Sequence, residues 1–159
     1  MSNNTVPFII NGQECNAHST FDVVSPATGE KTHQGGIATE ADAIAAVNAA
    51  AKAFASWRNV LSKDRREILL RAAKILIERQ AELATYMIDE IGSSQQYANQ
   101  SIVKSAELIK DVAGRICSLQ GDFPACGSPD LSAMVTKVPY GVIFAIAPWL
   151  VVPYPSCLA

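Results

Sequence analysis

The sequence predicts a mixed α/β chain, and three observations carry that prediction. Short apolar runs near the start are set off by Asn-Gly and Pro/Gly turns. A long middle stretch repeats its apolar residues every three or four positions. The last third returns to a period of two and then becomes continuously apolar. Periods of two and of about 3.6 are the marks of strands and helices, because side chains alternate across a strand and wind around a helix.

Composition narrows the class. The 159 residues are 49% hydrophobic and 18% charged, which suits a folded domain and not a disordered one. A formal net charge of −2 and the lack of a basic run give no reason to expect nucleic acid or a membrane surface as partner. MSNNTVPF has no positive stretch followed by an apolar one, so it does not read as a secretory signal. The most apolar stretch, Val138 to Val152, is shorter than the ~20 residues of a spanning helix, and Pro139, Gly141 and Pro148 interrupt it. A soluble, cytoplasmic protein is expected. The four cysteines, Cys15, Cys117, Cys126 and Cys157, form no CxxC pair, and the histidines are only His18 and His33. No metal site is expected, and the cysteines are read as reduced thiols acting as small hydrophobes.

Each element follows from local chemistry. Phe8-Ile9-Ile10 before Asn11-Gly12 predicts a hairpin, since both turn residues tolerate positive φ. A second strand covers Thr20 to Val24, and Ser25-Pro26-Ala27-Thr28-Gly29 reads as a turn. Thr39 is placed to cap a helix whose first turn carries Glu40 and Asp42, with Ile44, Val47, Ala51 and Phe54 as its apolar stripe and an end near Trp57. Ser62 is read as the cap of the next helix, with Ile68, Ala72, Ile75, Leu76, Leu83 and Met87 on its inner face and Gly92 at its end, a bend in between being allowed. A third helix spans roughly Gln96 to Leu119, its stripe formed by Ile102, Ala106, Ile109, Ala113 and Ile116. Asp122 to Pro129 is loop. A two-faced strand is expected from Leu131, and Val142 to Ala147 has the length and composition of a strand buried on both faces.

Several of these segments, in this order, match a known pattern. Ser25-Pro26-Ala27-Thr28-Gly29-Glu30 looks like an S-P-x-T-G-E turn. Thr39-Glu40-Ala41-Asp42 leads into an Ala-rich helix ending in Phe54-Ala55-Ser56-Trp57. Arg65, Arg66, Ile68, Leu69 and Ala72 to Leu76 look like R-x-x-I-L-x-x-A-A-x-x-L. Glu90-Ile91-Gly92 stands where E-T-G-K is usual. Pro139-Tyr140-Gly141-Val142 with Ile146-Ala147-Pro148-Trp149 looks like P-x-G-V-x-x-x-I-x-P-W-N. Together, from about Phe8 to Trp149, they resemble the aldehyde dehydrogenase superfamily. The last segment is most similar to members acting on aromatic aldehydes such as salicylaldehyde or vanillin.

The resemblance implies a fold and an activity. The chain would be the N-terminal part of the aldehyde dehydrogenase fold: an N-terminal β-hairpin, helices, one oligomerisation-flap strand and the first strand of a Rossmann-like sheet, incomplete. Residues 1–130 would be the hairpin and the helical part of the cofactor-binding domain, 131–138 the flap strand, 139–149 the first strand of the dinucleotide sheet, and 150–159 a divergent tail. Family members oxidise an aldehyde to a carboxylic acid with NAD or NADP. Ile146, Ala147, Pro148 and Trp149 would line the nicotinamide and ribose side of that cofactor, at the C-terminal end of a parallel strand where ligands of open sheets bind. A small-molecule aldehyde, and a homo-oligomer or a pairing with a full-length homologue, are the partners implied.

The chain also departs from the pattern. Leu150 stands where the family has the asparagine that steadies the oxyanion, and losing such a donor typically costs ~10²–10³ in rate. Pro153 and Pro155 would interrupt the helix that follows in the family. The nucleophilic cysteine and the glutamate base of the family lie downstream of the matched region, so no catalytic residue is assigned. Gly12-Gln13-Glu14-Cys15 mimics the G-Q-x-C around that nucleophile, but its context is a hairpin, and a motif counts only in its expected context. Cys157 has no neighbouring base in sequence, Arg65-Arg66 read as solvated helix charges, and Trp57 as a core anchor. Asp89 and Glu90, adjacent on a helix, point apart and are a poor acid/base pair.

Three readings follow. The chain belongs to an aldehyde dehydrogenase but is inactive as these residues alone. It is a non-catalytic helical module that binds a full-length homologue through the exposed edge of its 131–138 strand. Or the reading frame is broken just after Trp149 and the true product is a full enzyme. A marginal helical domain with a poorly covered, aggregation-prone C-terminal segment is expected.

Overall fold

The computed structural model describes residues 5–146. Among them, in chain order, run β1 (Thr5–Val6), β2 (Phe8–Ile10), β3 (Gln13–Cys15), β4 (Ser19–Val24), β5 (Lys31–Ile37), α1 (Glu40–Trp57), α2 (Ser62–Glu78), α3 (Gln80–Ile91) and α4 (Gln95–Ile116). The class is α/β, as the sequence predicts, with helices and two small sheets.

The hairpin forms where Asn-Gly predicts it. Asn11 and Gly12 take φ of 53° and 74°, and β2 pairs with β3 so that Phe8 faces Cys15. The Ser25–Gly29 turn closes with Gly29 N–H donating to the Ser25 carbonyl at 2.8 Å. It returns the chain into β5, which sequence patterning does not reveal. β4 and β5 run antiparallel with Val23 opposite His33, and β1 joins β5 in parallel to give the order β1-β5-β4. Gly35-Gly36 hides β5, because glycine has low strand propensity. The neighbouring side chains lie close over these two glycines. A Cβ on Gly35 would lie 2.5 Å from the Phe21 ring, which covers that bare backbone from the neighbouring strand.

α1 begins as predicted. Thr39 accepts from the Asp42 amide at 3.3 Å, and the Asp42 carboxylate accepts from the Thr39 amide at 2.8 Å, a reciprocal capping box. The Thr39 hydroxyl and amide hold the Asp42 carboxyl below the usual carboxylate range. The expected apolar stripe of α1 is not buried, however. α1 contains no buried residue, and Ile44 and Val47 remain exposed. Its main contact is with β2, and Arg65 of α2 reaches its last residue, Trp57.

Two boundaries differ from expectation, the start of α2 and the end of α4, and the bend allowed before Gly92 is a break between two helices. Ser62 is the first residue of α2 and not its cap. The cap is Leu61, whose carbonyl accepts from the Asp64 and Arg65 amides. The helix expected to run to Gly92 pauses at Arg79 (φ −97°, ψ 16°), which ends α2 and starts α3. α4 stops at Ile116, a turn earlier than expected, and 117–119 continue as a turn.

The core lies between α2, α3 and α4. The predicted stripe of α4 is buried: Ile102, Ala106, Ile109 and Ala113 face inward. On α2 the buried face is rotated by one residue from expectation. Leu69 and Ala73 are inside, with Leu70 and the expected Leu76 at the margin, whereas Ile68 and Ile75 stay 40% and 42% exposed. Small side chains at Ala73, Ala106 and Ala113 belong to this cluster and leave room for α2 and α4 to pack side by side. A second cluster joins Ala84 and Met87 of α3 to Ala98 and Ile102. Wholly buried side chains of the size of Ile102 contribute roughly 1.5–3 kcal/mol each.

The two C-terminal strands expected from the sequence are not formed as strands. In 131–138 the ladder is reduced to one bridge, in which Asp122 and Val135 exchange two backbone hydrogen bonds of 3.0 and 2.8 Å. Residues 139–146 have no strand assignment, and Ala147 lies outside the described residues. An apolar strand is stable only with neighbours for its backbone groups and its faces.

Candidate functional site

Ile146, the first residue of the cofactor-side edge implied by resemblance, exposes 80% of its surface. Ala147, Pro148 and Trp149 lie outside the described residues, as do Leu150 and Cys157. The approach to this edge is an apolar surface. Tyr140 is 99% and Phe144 86% exposed, with Val138 close behind. Its chemistry is hydrophobic contact, since Tyr140 carries the one ionisable side chain between Val138 and Ile146.

The built polar sites lie elsewhere, where the small sheet meets α3. His33 Nε2 is 3.1 Å from Glu90 Oε1, and the two side chains are largely buried. His33 Nδ1 lies 3.1 Å from the Thr32 hydroxyl, which donates to the Val23 carbonyl at 3.0 Å. Beside them Gly92 closes α3 in the left-handed region (φ 66°), and a Cβ there would press on Pro26 at 3.0 Å. Asp22 is engaged by Lys31 at 2.8 Å and Gln34 at 2.7 Å, contacts that hold its carboxyl below the usual range. Asp89 and Glu90 do point apart: Asp89 is exposed and Glu90 turns to His33. Sequence reading missed this pairing because it needs β5 to be placed.

The second built contact corrects the reading of Arg65 and Trp57. Arg65 is not a solvated charge. Its guanidinium donates to the Trp57 and Arg58 carbonyls, each at 3.1 Å, and lies 5.5 Å from the Trp57 ring centroid. Trp57 is half-exposed and not a core residue. Arg65 therefore caps the C-terminal end of α1 with charge and covers its last ring by a cation–π contact.

Cys15 ends β3 and its thiol donates to its own strand at the Gln13 carbonyl (3.7 Å), consistent with a hairpin residue. Among the described residues no group of three or more His, Cys, Asp or Glu side chains gathers in metal-binding geometry, and no helix is long and apolar enough to cross a membrane. An open groove of about 500 Å³ on α3 and α4 is lined by Gln80, Asn99, Gln100, Val103, Lys104 and Glu107.

Comparison with known proteins bears on all of this. The model of the aldehyde dehydrogenase family matches residues 13–154. A vanillin dehydrogenase of Pseudomonas sp. (strain HR199 / DSM 7063) is 36% identical over 146 residues, which cover 91% of this chain and 30% of that protein. Among solved structures, a salicylaldehyde dehydrogenase from Pseudomonas putida G7, complexed with salicylaldehyde, has a TM-score of 0.75 at 27% identity, covering 82% of this chain and 27% of that one. An NAD-dependent aldehyde dehydrogenase from Sinorhizobium meliloti has a TM-score of 0.76 at 28% identity, with 82% and 27% covered. The chain matches the N-terminal part of such structures and spans less than a third of their length.

Proposed function

The chain belongs to the aldehyde dehydrogenase family, and from that premise we propose that it serves an oxidoreductase that converts an aldehyde and water to a carboxylic acid, passing a hydride to NAD or NADP. The observation that carries this reading is the family match over residues 13–154, which includes the Pro139–Val142 turn and the Ile146-Ala147-Pro148-Trp149 edge in order. The substrate class proposed is an aromatic aldehyde, supported by the likeness to a vanillin dehydrogenase and to a salicylaldehyde dehydrogenase.

Roles within the chain follow the same reading. Residues 1–130 are the hairpin and helical part of the cofactor-binding domain, while 131–138 become a flap strand for oligomer contacts and 139–149 the first strand of the dinucleotide sheet once neighbouring strands pair with them. Ile146, Ala147, Pro148 and Trp149 line the cofactor. We infer that the described residues do not hold a dinucleotide by themselves. Ile146 is apolar and exposed, and no glycine-rich loop opens a helix beside it. The 159 residues alone are therefore proposed to be inactive, in a cytoplasmic protein that assembles with copies of itself or with a longer homologue.

The test starts from the transcript beyond the Trp149 codon. The protein it encodes is assayed for reduction of NAD⁺ and NADP⁺ with vanillin, salicylaldehyde and an aliphatic aldehyde. Turnover with preference for the aromatic substrates supports the proposal. A longer protein with an intact nucleophile segment but no turnover on any aldehyde overturns it. Turnover by residues 1–159 alone overturns the inactivity.

A further inference from the structure

The sheet–α3 junction contains a hydrogen-bond chain whose donors do not balance unless one extra proton is present. The Thr32 hydroxyl has one proton, and it donates to the Val23 carbonyl at 3.0 Å. His33 Nδ1 sits 3.1 Å from that same oxygen, so it bonds there only by carrying a proton itself. His33 Nε2 sits 3.1 Å from Glu90 Oε1, and a carboxylate only accepts, so Nε2 must carry a proton as well. The imidazolium satisfies all three contacts. With Glu90 ionised, a neutral ring satisfies two at most. If its proton is on Nε2, the Thr32 hydroxyl must turn from Val23 to Nδ1. If its proton is on Nδ1, a lone pair faces the carboxylate.

We propose that Thr32, His33 and Glu90 form a proton-sensitive latch that fastens the β4–β5 hairpin to the C-terminal end of α3. The latch sits where that hairpin meets the helix, next to the Pro26–Gly92 contact. The side chains of His33 and Glu90 are 13% and 29% exposed, so water competes only in part for their bonds. The other charges nearby are spoken for. Asp22 of β4 is engaged by Lys31 and Gln34, Asp89 of α3 faces solvent, Glu82 at the far end of α3 pairs with Arg79, and Thr5 and Val6 of β1 are uncharged.

The sign follows from the hydrogen-bond count. Histidine changes charge between about pH 5 and 8. A histidine bonded in its charged form stabilises most on the acid side of its titration and loses that contribution as pH rises through it. Hydroxide therefore releases the latch, and the hairpin opens from α3 more often.

The experiment uses the whole 159-residue chain labelled with ¹⁵N. Imidazole nitrogen shifts of His33 and of the exposed His18 are followed across pH 5.5–8.5, together with amide exchange of β4 and β5. The expected result is a roughly fivefold loss of protection, beyond the intrinsic pH trend, that tracks His33 and not His18, the size of one such bond. Glu90→Gln keeps an acceptor but removes the charge and should flatten this step. Thr32→Val should flatten it too, and Thr32→Ser should restore it. Protection that shows no step across pH 5.5–8.5, or a step that follows the His18 signals, overturns the latch, and this measurement needs no variant to fold.

Discussion

Ile102 and Phe144 are both large apolar side chains, yet Ile102 is wholly buried and Phe144 lies 86% exposed. The first belongs to the α2–α4 layer and the second to the segment after α4. Helices bond their own backbone internally and need only a stripe of side chains to find a partner stripe. α4 has such partners in α2 and α3, close by in sequence. An apolar strand needs neighbours for every N–H and C=O as well as for its faces, and parallel neighbours come from distant sequence. Apolar character alone thus does not decide burial. The location of the partner does.

The sharpest way to break this contrast is Ile102→Ala, which should destabilise the chain by about 2–5 kcal/mol in urea unfolding. A loss near zero would mean that the helical layer is not the core. Ala73→Leu comes next, since a larger side chain between α2 and α4 should cost about 1–3 kcal/mol, read as a lower denaturation midpoint. Thr39→Ala should cost about 1 kcal/mol and act locally, loosening amide protection at the start of α1. If it unfolds the whole chain, α1 is coupled to the core more tightly than its exposed face indicates.

Acid offers a smaller probe of the same cap. The Thr39 hydroxyl, and then its amide, lower the Asp42 carboxyl below the usual range. Its contribution is thus present above the unfolded value and lost as pH falls through the lower folded value. Protection at the start of α1 should persist to more acid pH than in Thr39→Ala. The smallest effect is expected from Phe144→Ser, within about 0.5 kcal/mol of the parent stability, with higher solubility by light scattering. A large loss of stability would show that the C-terminal segment is packed.

How much was legible depended on how local the cause was. Asn11-Gly12, the Thr39 capping box, Gly92 and the α4 stripe could all be read from neighbouring residues, because the physics that shapes them acts within a few positions. β5 could not. Its glycines look like loop until Phe21 is known to lie over Gly35. The rotated face of α2 was also hidden, since Leu69 and Ala73 are buried by packing against α4, a partner from later in the chain. Arg65 looked solvated for the same reason, as its partners are the carbonyls of a different helix.

For the candidate site, the motif order points only by resemblance to residues 146–149 as a cofactor-side edge, and the described structure reaches the first of them, Ile146. The junction of His33 with Glu90 came from no motif. The sequence by itself determined the family, the α/β class, the turns and the cap chemistry, because those rest on residue type and short-range spacing. Tertiary structure alone decided which helix face is buried, that 31–37 is a strand, and that a histidine on it meets a carboxylate some sixty residues on. Those outcomes depend on which surfaces meet across the fold, and that is not encoded at any single spacing along the chain.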